Sequence, residues 1–281
     1  MQQRSAFSRL TFLILMLSAF LLAGCGASTK QRSSSVVQFL YPNESGHIET
    51  PAIPRLALPL RVGIAFVPDG RSRRSPLTEK EKMALMQKVS SHFKQYDFVK
   101  SIDLIPSAYL QKNGSFSNLD QIRTMYGIDV IALISYDQTQ FTDEGLASIT
   151  YWTLIGAYVI PGEKNDTHTM VDTSVYDIAS RKMLFRAPGI SHIKSHATPV
   201  NLSEQLRKDS ITGFKQASEE LVGNLKIQLE LFKDKVKESP GDYQIVHRPG
   251  YTGGGNLDLA YLLLLALAVG SGLWRRKSKQ S

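Results

Sequence analysis

Cysteine is nearly missing from this 281-residue chain: Cys25 is the only one. An internal disulfide and any multi-cysteine metal site are therefore excluded. Motifs of chemistry are equally scarce. No GxSxG turn offers a strained serine nucleophile, no HExxH pairs two histidines with a general base, and no phosphate loop ends in Gly-Lys-Ser/Thr. Long runs of one charge are absent, and 42% hydrophobic residues indicate a globular chain rather than a disordered one. The formal charge of +8 is mostly terminal. Six of the 33 basic residues and one of the 25 acidic ones lie in the two end segments, so the body carries about +3. A nucleic-acid partner loses its main support with that correction.

What is present in quantity is apolar sequence at the two ends. Arg4 and Arg9 precede an apolar run from Leu10 to Leu22, followed by small residues, which is the pattern of a secretory signal. Residues 257–274 form a second run, Leu257 to Trp274, of 18 almost wholly apolar residues. As a helix it would span about 27 Å, enough for a thin hydrocarbon core. It shows no polar face at helical spacing, so a buried amphipathic helix does not describe it. Arg275, Arg276 and Lys277 follow, with Lys279, and the positive-inside rule places residues 275–281 in the cytoplasm and the body outside.

Between these ends, residues 25–58 read as a polar tether and a proline-rich extended segment, "GASTKQRSSS" and "YPNESGHIETPAIPRLALPL". Residues 59–240 read as one α/β domain in the order β-α-β-α-β-β-β-β-α, a mixed sheet with helices packed on it. Its strands are "RVGIAFV", "FVKSIDLIP", "IDVIALISYDQTQ", "SITYWTLIGAYVI", "HTMVDTSVYDI" and "KMLFRAPGISHIKS". The first three should be parallel neighbours joined by right-handed crossovers. The last two should form a hairpin through "ASR". Thr78 and Glu81 make a capping box for the first helix. Asn118 or Ser117 caps the second, which Gly127 ends, and Ser203 opens a long amphipathic helix to about Glu238. Residues 241–256 read as an exposed stalk and a glycine-rich region.

"LAGC", Leu22 to Cys25, resembles the lipobox of bacterial lipoproteins. The resemblance implies cleavage between Gly24 and Cys25, a thioether-linked diacylglycerol on Cys25 and further acylation of its amine. Gly26, where an inner-membrane retention signal would have Asp, implies sorting to the outer membrane. The order of Gly253, Gly254 and Gly255, one apolar helix and a basic tail resembles the GlyGly-CTERM sorting signal. That signal is processed by a rhomboid-type serine protease, rhombosortase. With "SVYDIASRKMLFRAPG", the chain is similar to the rhombotarget lipoprotein family. The resemblance implies an anchored, processed lipoprotein whose partners are membrane lipid, the lipoprotein-processing enzymes and rhombosortase. Glycines that weaken the first turn of the helix suit such a protease, which needs exposed backbone.

Candidate chemistry in the body is thin. His192 and His196 stand four apart, a zinc spacing on a helix, but on a strand their side chains are some 13 Å apart. His168, Asp172 and Ser174 are close in sequence without a triad's geometry. Asp143 and Glu144 read as a solvated loop rather than an acid/base pair. Tyr151, Trp152 and Tyr158 read as sheet packing. Arg71, Arg73 and Arg74 follow the first strand at the usual ligand edge of an α/β sheet, either as a solvated loop or as a contact for phosphates or an acidic envelope partner. The expectation is a non-enzymatic envelope lipoprotein with no cofactor and no metal. The alternatives are a hydrolase or ligand-binding enzyme with a dispersed site, and an uncleaved tether between two anchors.

Overall fold

The computed structural model describes residues 28–42, 52–68, 77–144, 163–198 and 200–251. Its strands are β1 (Ser28–Ser33), β2 (Arg55–Leu58), β3 (Leu60–Phe66), β4 (Val99–Ile105), β5 (Val130–Glu144), β6 (Glu163–Asp177), β7 (Lys182–Ala197) and β8 (Gln244–His247). Its α-helices are α1 (Val36–Leu40), α2 (Glu79–Phe93), α3 (Ser115–Tyr126) and α4 (Leu202–Glu238). The architecture is mixed α/β, as the alternation of patterns predicts.

The main sheet has the order β4-β3-β5-β6-β7, with β1 added beside β5. β3 lies parallel between β4 and β5, and β5, β6 and β7 run antiparallel. The expected parallel trio and the expected hairpin both form. β5 is shared along its length: residues 130–134 pair with β3, and residues 137–142 pair with β1. The predicted strand 148–160 lies outside the described residues.

Two crossovers of one hand that move in opposite directions must put their helices on opposite faces. Accordingly Leu85, Met86 and Val89 of α2 join one core cluster, while Phe116, Leu119 and Ile122 of α3 join the other. The α2 capping box forms: Thr78 Oγ1 accepts from the Glu81 amide at 3.3 Å, and Glu81 Oε2 accepts from the Thr78 amide at 2.7 Å. Gly127 ends α3 in the left-handed region, φ 64°. Its start differs from the expectation. Asn118 lies inside α3, where its side chain ties down the preceding loop by accepting from the Gln111 amide at 2.9 Å and donating to the Tyr109 carbonyl at 3.3 Å.

Two segments expected to be loose are not. Ser28–Ser33, read as tether, pairs residue by residue with β5, and Val36, Phe39 and Leu40 of α1 are buried in the α3 face of the core. Alternation was weak there because one flank of β1 faces solvent, leaving a polar strand to be recruited by the unpaired edge of β5. Gln244–His247, read as stalk, pairs in parallel with β2, and Tyr243 is buried.

Helix α4 has 37 residues, about 55 Å, and lies along the β6–β7 hairpin, whose strands are 15 and 16 residues long. Two glycines let the layers meet. A Cβ on Gly189 of β7 would sit 2.0 Å from the Ala217 carbonyl oxygen and 2.5 Å from the Leu221 amide; one on Gly213 of α4 would sit 2.6 Å from Thr169 Oγ1. Backbone cannot yield as a flexible side chain can. Gly189→Ala should therefore destabilise the fold by about 3 kcal/mol, the upper end for overpacking, read as a lowered urea midpoint at unchanged slope.

Candidate functional site

Two features of the described residues offer chemistry or binding, and they lie on opposite faces of the sheet.

The first is a cavity of about 500 Å³ between the sheet and the helices α2 and α4. Its floor is Val62 and Ile64 of β3, Val130, Ala132 and Ile134 of β5, and Val175 of β6; its walls include Val89 and Phe93 of α2 and Leu225, Leu229 and Phe232 of α4. Leu56 and Leu58 of β2, Ile245 and His247 of β8, and Tyr251 complete it. The lining is overwhelmingly apolar, with Lys233 and Lys237 on the α4 side. Both lysines hold carboxylates one turn back, Glu230 at 2.8 Å and Asp234 at 2.9 Å. The cavity lies where α2 and α4, which meet at Lys88 and Glu219 at 3.9 Å, both shed apolar side chains onto one sheet face. Its size and lining are those of a small-molecule site.

A charged clasp closes the β2–β8 wall. Asp129, just before β5, receives Arg61 Nη2 at 2.9 Å and Arg248 Nη2 at 2.6 Å. Burial pushes the Asp129 carboxyl up, but the hydrogen bonds and charges of Arg61 and Arg248 outweigh it and hold the group below its ordinary value. Arg248 also donates from its backbone to the Leu58 carbonyl at 2.8 Å, so the clasp fastens the C-terminal strand to the body.

The second feature is the outer face of β6 and β7. His168 and His192 face each other in register across the two strands, and Asp166 stands two residues before His168 on the same side. The imidazole rings stack with centroids 4.1 Å apart and planes 17° apart. Asp166 Oδ1 is 3.1 Å from His168 Nε2 and in direct contact with His192 Nε2. All three side chains are exposed to solvent, at 37%, 51% and 41%. Phe141 of β5 packs edge-on against His168 with centroids 6.1 Å apart.

The structure rearranges the pairs considered from sequence. His192 meets His168 rather than His196, which lies opposite Lys164 instead. Asp172 is taken by Arg186, whose Nε is 2.8 Å from Oδ1. Ser174 is buried two pairs further along the strand, in register with Arg186. Asp143 and Glu144 belong to the end of β5, paired with Lys164 and Glu163, not to a loop. Gly24, Cys25, Arg71, Arg73, Arg74, Tyr151, Trp152, Tyr158, Gly253, Gly254, Gly255, Arg275, Arg276 and Lys277 lie outside the described residues. Sequence reasoning missed Asp166 and the cavity. The "ASR" hairpin gave only part of the signal for the first: counting back from its turn sets His168 opposite Ser191, and a bulge between Val175 and Tyr176 moves it opposite His192. Among the described residues no helix is long and apolar enough to cross a membrane. No family model matches the chain, and no curated protein matches it.

The clasp sets a pH dependence. Asp129 contributes stability in full above its unfolded value near 3.8, and that contribution drains away as pH falls through the lower folded value. Thermal midpoints measured down an acid series should fall more steeply for the natural protein than for Asp129→Asn, which should be less stable at neutral pH.

Proposed function

We propose that this chain is a bacterial envelope lipoprotein, attached through lipid on Cys25 and trimmed near Gly253–Gly255, and that its body is a binding module rather than an enzyme. The terminal patterns support the placement: a signal with "LAGC" at one end, and glycines, the apolar run 257–274 and a basic tail at the other. On this reading residues 257–274 span the inner membrane until a rhomboid-type protease removes them, and the lipid anchor then goes to the outer membrane.

The observation that carries the binding role is the 500 Å³ apolar cavity. Its occupant on this reading is a single acyl chain with an anionic head. The aliphatic and aromatic lining suits the hydrocarbon, Lys233 and Lys237 can exchange their carboxylate partners on the same helix for an anionic head, and on this reading a membrane-tethered body has such lipids at hand. Burial of a chain in a preformed apolar site is favourable by about 0.8 kcal/mol per methylene.

Two measurements test this reading. Solvent extraction of the purified chain followed by mass spectrometry should recover a non-covalent fatty acid near one per chain. Ala132→Phe, which fills the cavity from its central strand, should abolish that recovery while leaving the thermal midpoint within a few degrees. Equal recovery from both proteins sinks the acyl reading. Intact mass of the cellular protein tests processing: the expected species begins at a lipidated Cys25 and lacks the basic tail. Retention of Ser281 in cells that contain the protease favours the uncleaved tether, and Cys25→Ser should release the trimmed protein from membranes.

A further inference from the structure

We infer that Asp166, His168 and His192 form a binding site for a divalent transition-metal ion, with zinc the best match, on the open face of the β6–β7 hairpin. The inference is independent of the acyl cavity, which lies on the other face of the sheet and toward its other end.

The placement follows from strand geometry. Side chains at directly opposed positions of antiparallel strands stand about 5 Å apart at Cβ, and residues two apart on one strand share a face. His168 and His192 occupy opposed positions and Asp166 the adjacent position. Three donors thus converge from two strands held by a ladder that runs unbroken from Glu163–Ala197 through this row to Val175–Phe185. One ligating atom from each residue can be chosen so that all three lie within 4.8 Å of one another. Two imidazole nitrogens and one carboxylate oxygen suit zinc, and three protein ligands leave a fourth tetrahedral position for water or a ligand. The same set accepts other first-row divalent ions in the usual affinity order.

Present contacts supply the direction of attack. Both Nε2 atoms already turn toward Asp166 Oδ1, so a bound ion takes the position between these three atoms. The rings lie nearly parallel and must fan apart to aim both lone pairs at one ion. Their exposure leaves room for that rotation about the side-chain torsions. Phe141 flanks His168 and limits its swing on the β5 side. The ion binds neutral imidazoles through Nε2 with the remaining ring proton on Nδ1.

The test uses the full chain in detergent, stripped with a chelator and dialysed against zinc chloride. Saturation at one ion per chain is expected. His168→Ala and His192→Ala should each weaken binding by more than the roughly tenfold that loss of an outer-shell partner costs, and Asp166→Asn should also weaken it. His196→Ala, two positions further along the same face of β7, should bind as the natural protein does. Cobalt in place of zinc should give the intense visible bands of a four-coordinate site, lost in the two histidine variants. These side chains are exposed, so the variants are expected to keep the natural melting temperature without metal. Absence of saturable binding, or equal loss in His196→Ala and His192→Ala, overturns the assignment.

Discussion

The contact on which the rest of the structure depends is the seating of α4 against the backbone of β6 and β7. It is close because Gly189 and Gly213 remove the two Cβ atoms that would hold the layers apart. That helix crosses two chemically different halves of one sheet face. Its first half meets polar residues: Gln138 Nε2 donates to Thr169 Oγ1 at 2.8 Å, Ser210 Oγ donates to Gln138 Oε1 at 2.7 Å, and Gln140 Nε2 donates to the Leu206 carbonyl at 2.8 Å. Its second half meets the apolar cluster of Val175, Leu184, Leu225 and Phe232. Buried hydrogen-bonded groups fix register, since sliding the helix by one turn would leave each amide without its partner. The apolar half tolerates more slack, and that is where the cavity lies.

The division explains why one face is hollow and the other does not resemble it. On the reverse side, α1 and α3 cover Ile131 and Leu133 at the start of β5. Past Tyr136 the strands run on with exposed odd-numbered residues on β5 and even-numbered ones on β6 and β7. The histidine row belongs to that uncovered stretch, supported from behind by the hydrogen-bonded half of α4. Ser191, immediately before His192, donates to the Gly213 carbonyl at 2.8 Å from the opposite side of the strand, so the exposed row stands on a rigid backing.

Much of the core was legible from the chain. Near-continuous apolar runs such as "IDVIALIS" announce strands covered on both faces, and the Thr78/Glu81 and Gly127 signals mark helix ends because local backbone groups satisfy one another there. Long-range pairing was not legible. β1 is polar and Ser-rich, so nothing in "STKQRS" distinguishes a strand recruited by the edge of β5 from a solvated tether. β8 is short, and its partner β2 lies nearly 190 residues earlier. The histidine pair needed the hairpin register, and the cavity needed the separation of two helices, which no periodicity encodes.

The edge pairing of β1 also fixes where the two outer segments of the described chain meet the sheet. Ser28 sits opposite Thr142, while Arg248 is held at Asp129, so the described chain begins and finishes at opposite ends of β5, about 43 Å apart along that strand. From Cys25 to Ser28 is three residues, a reach of about 10 Å, and from Tyr251 to Leu257 is six, about 20 Å. If lipid is carried at one end and a spanning helix at the other, as proposed, leashes this short would make the body recline with β5 along the bilayer. On the same proposal, severing the rear leash would leave a single pivot near Ser28, about which the molecule could stand up and present its far end to whatever lies beyond the membrane surface.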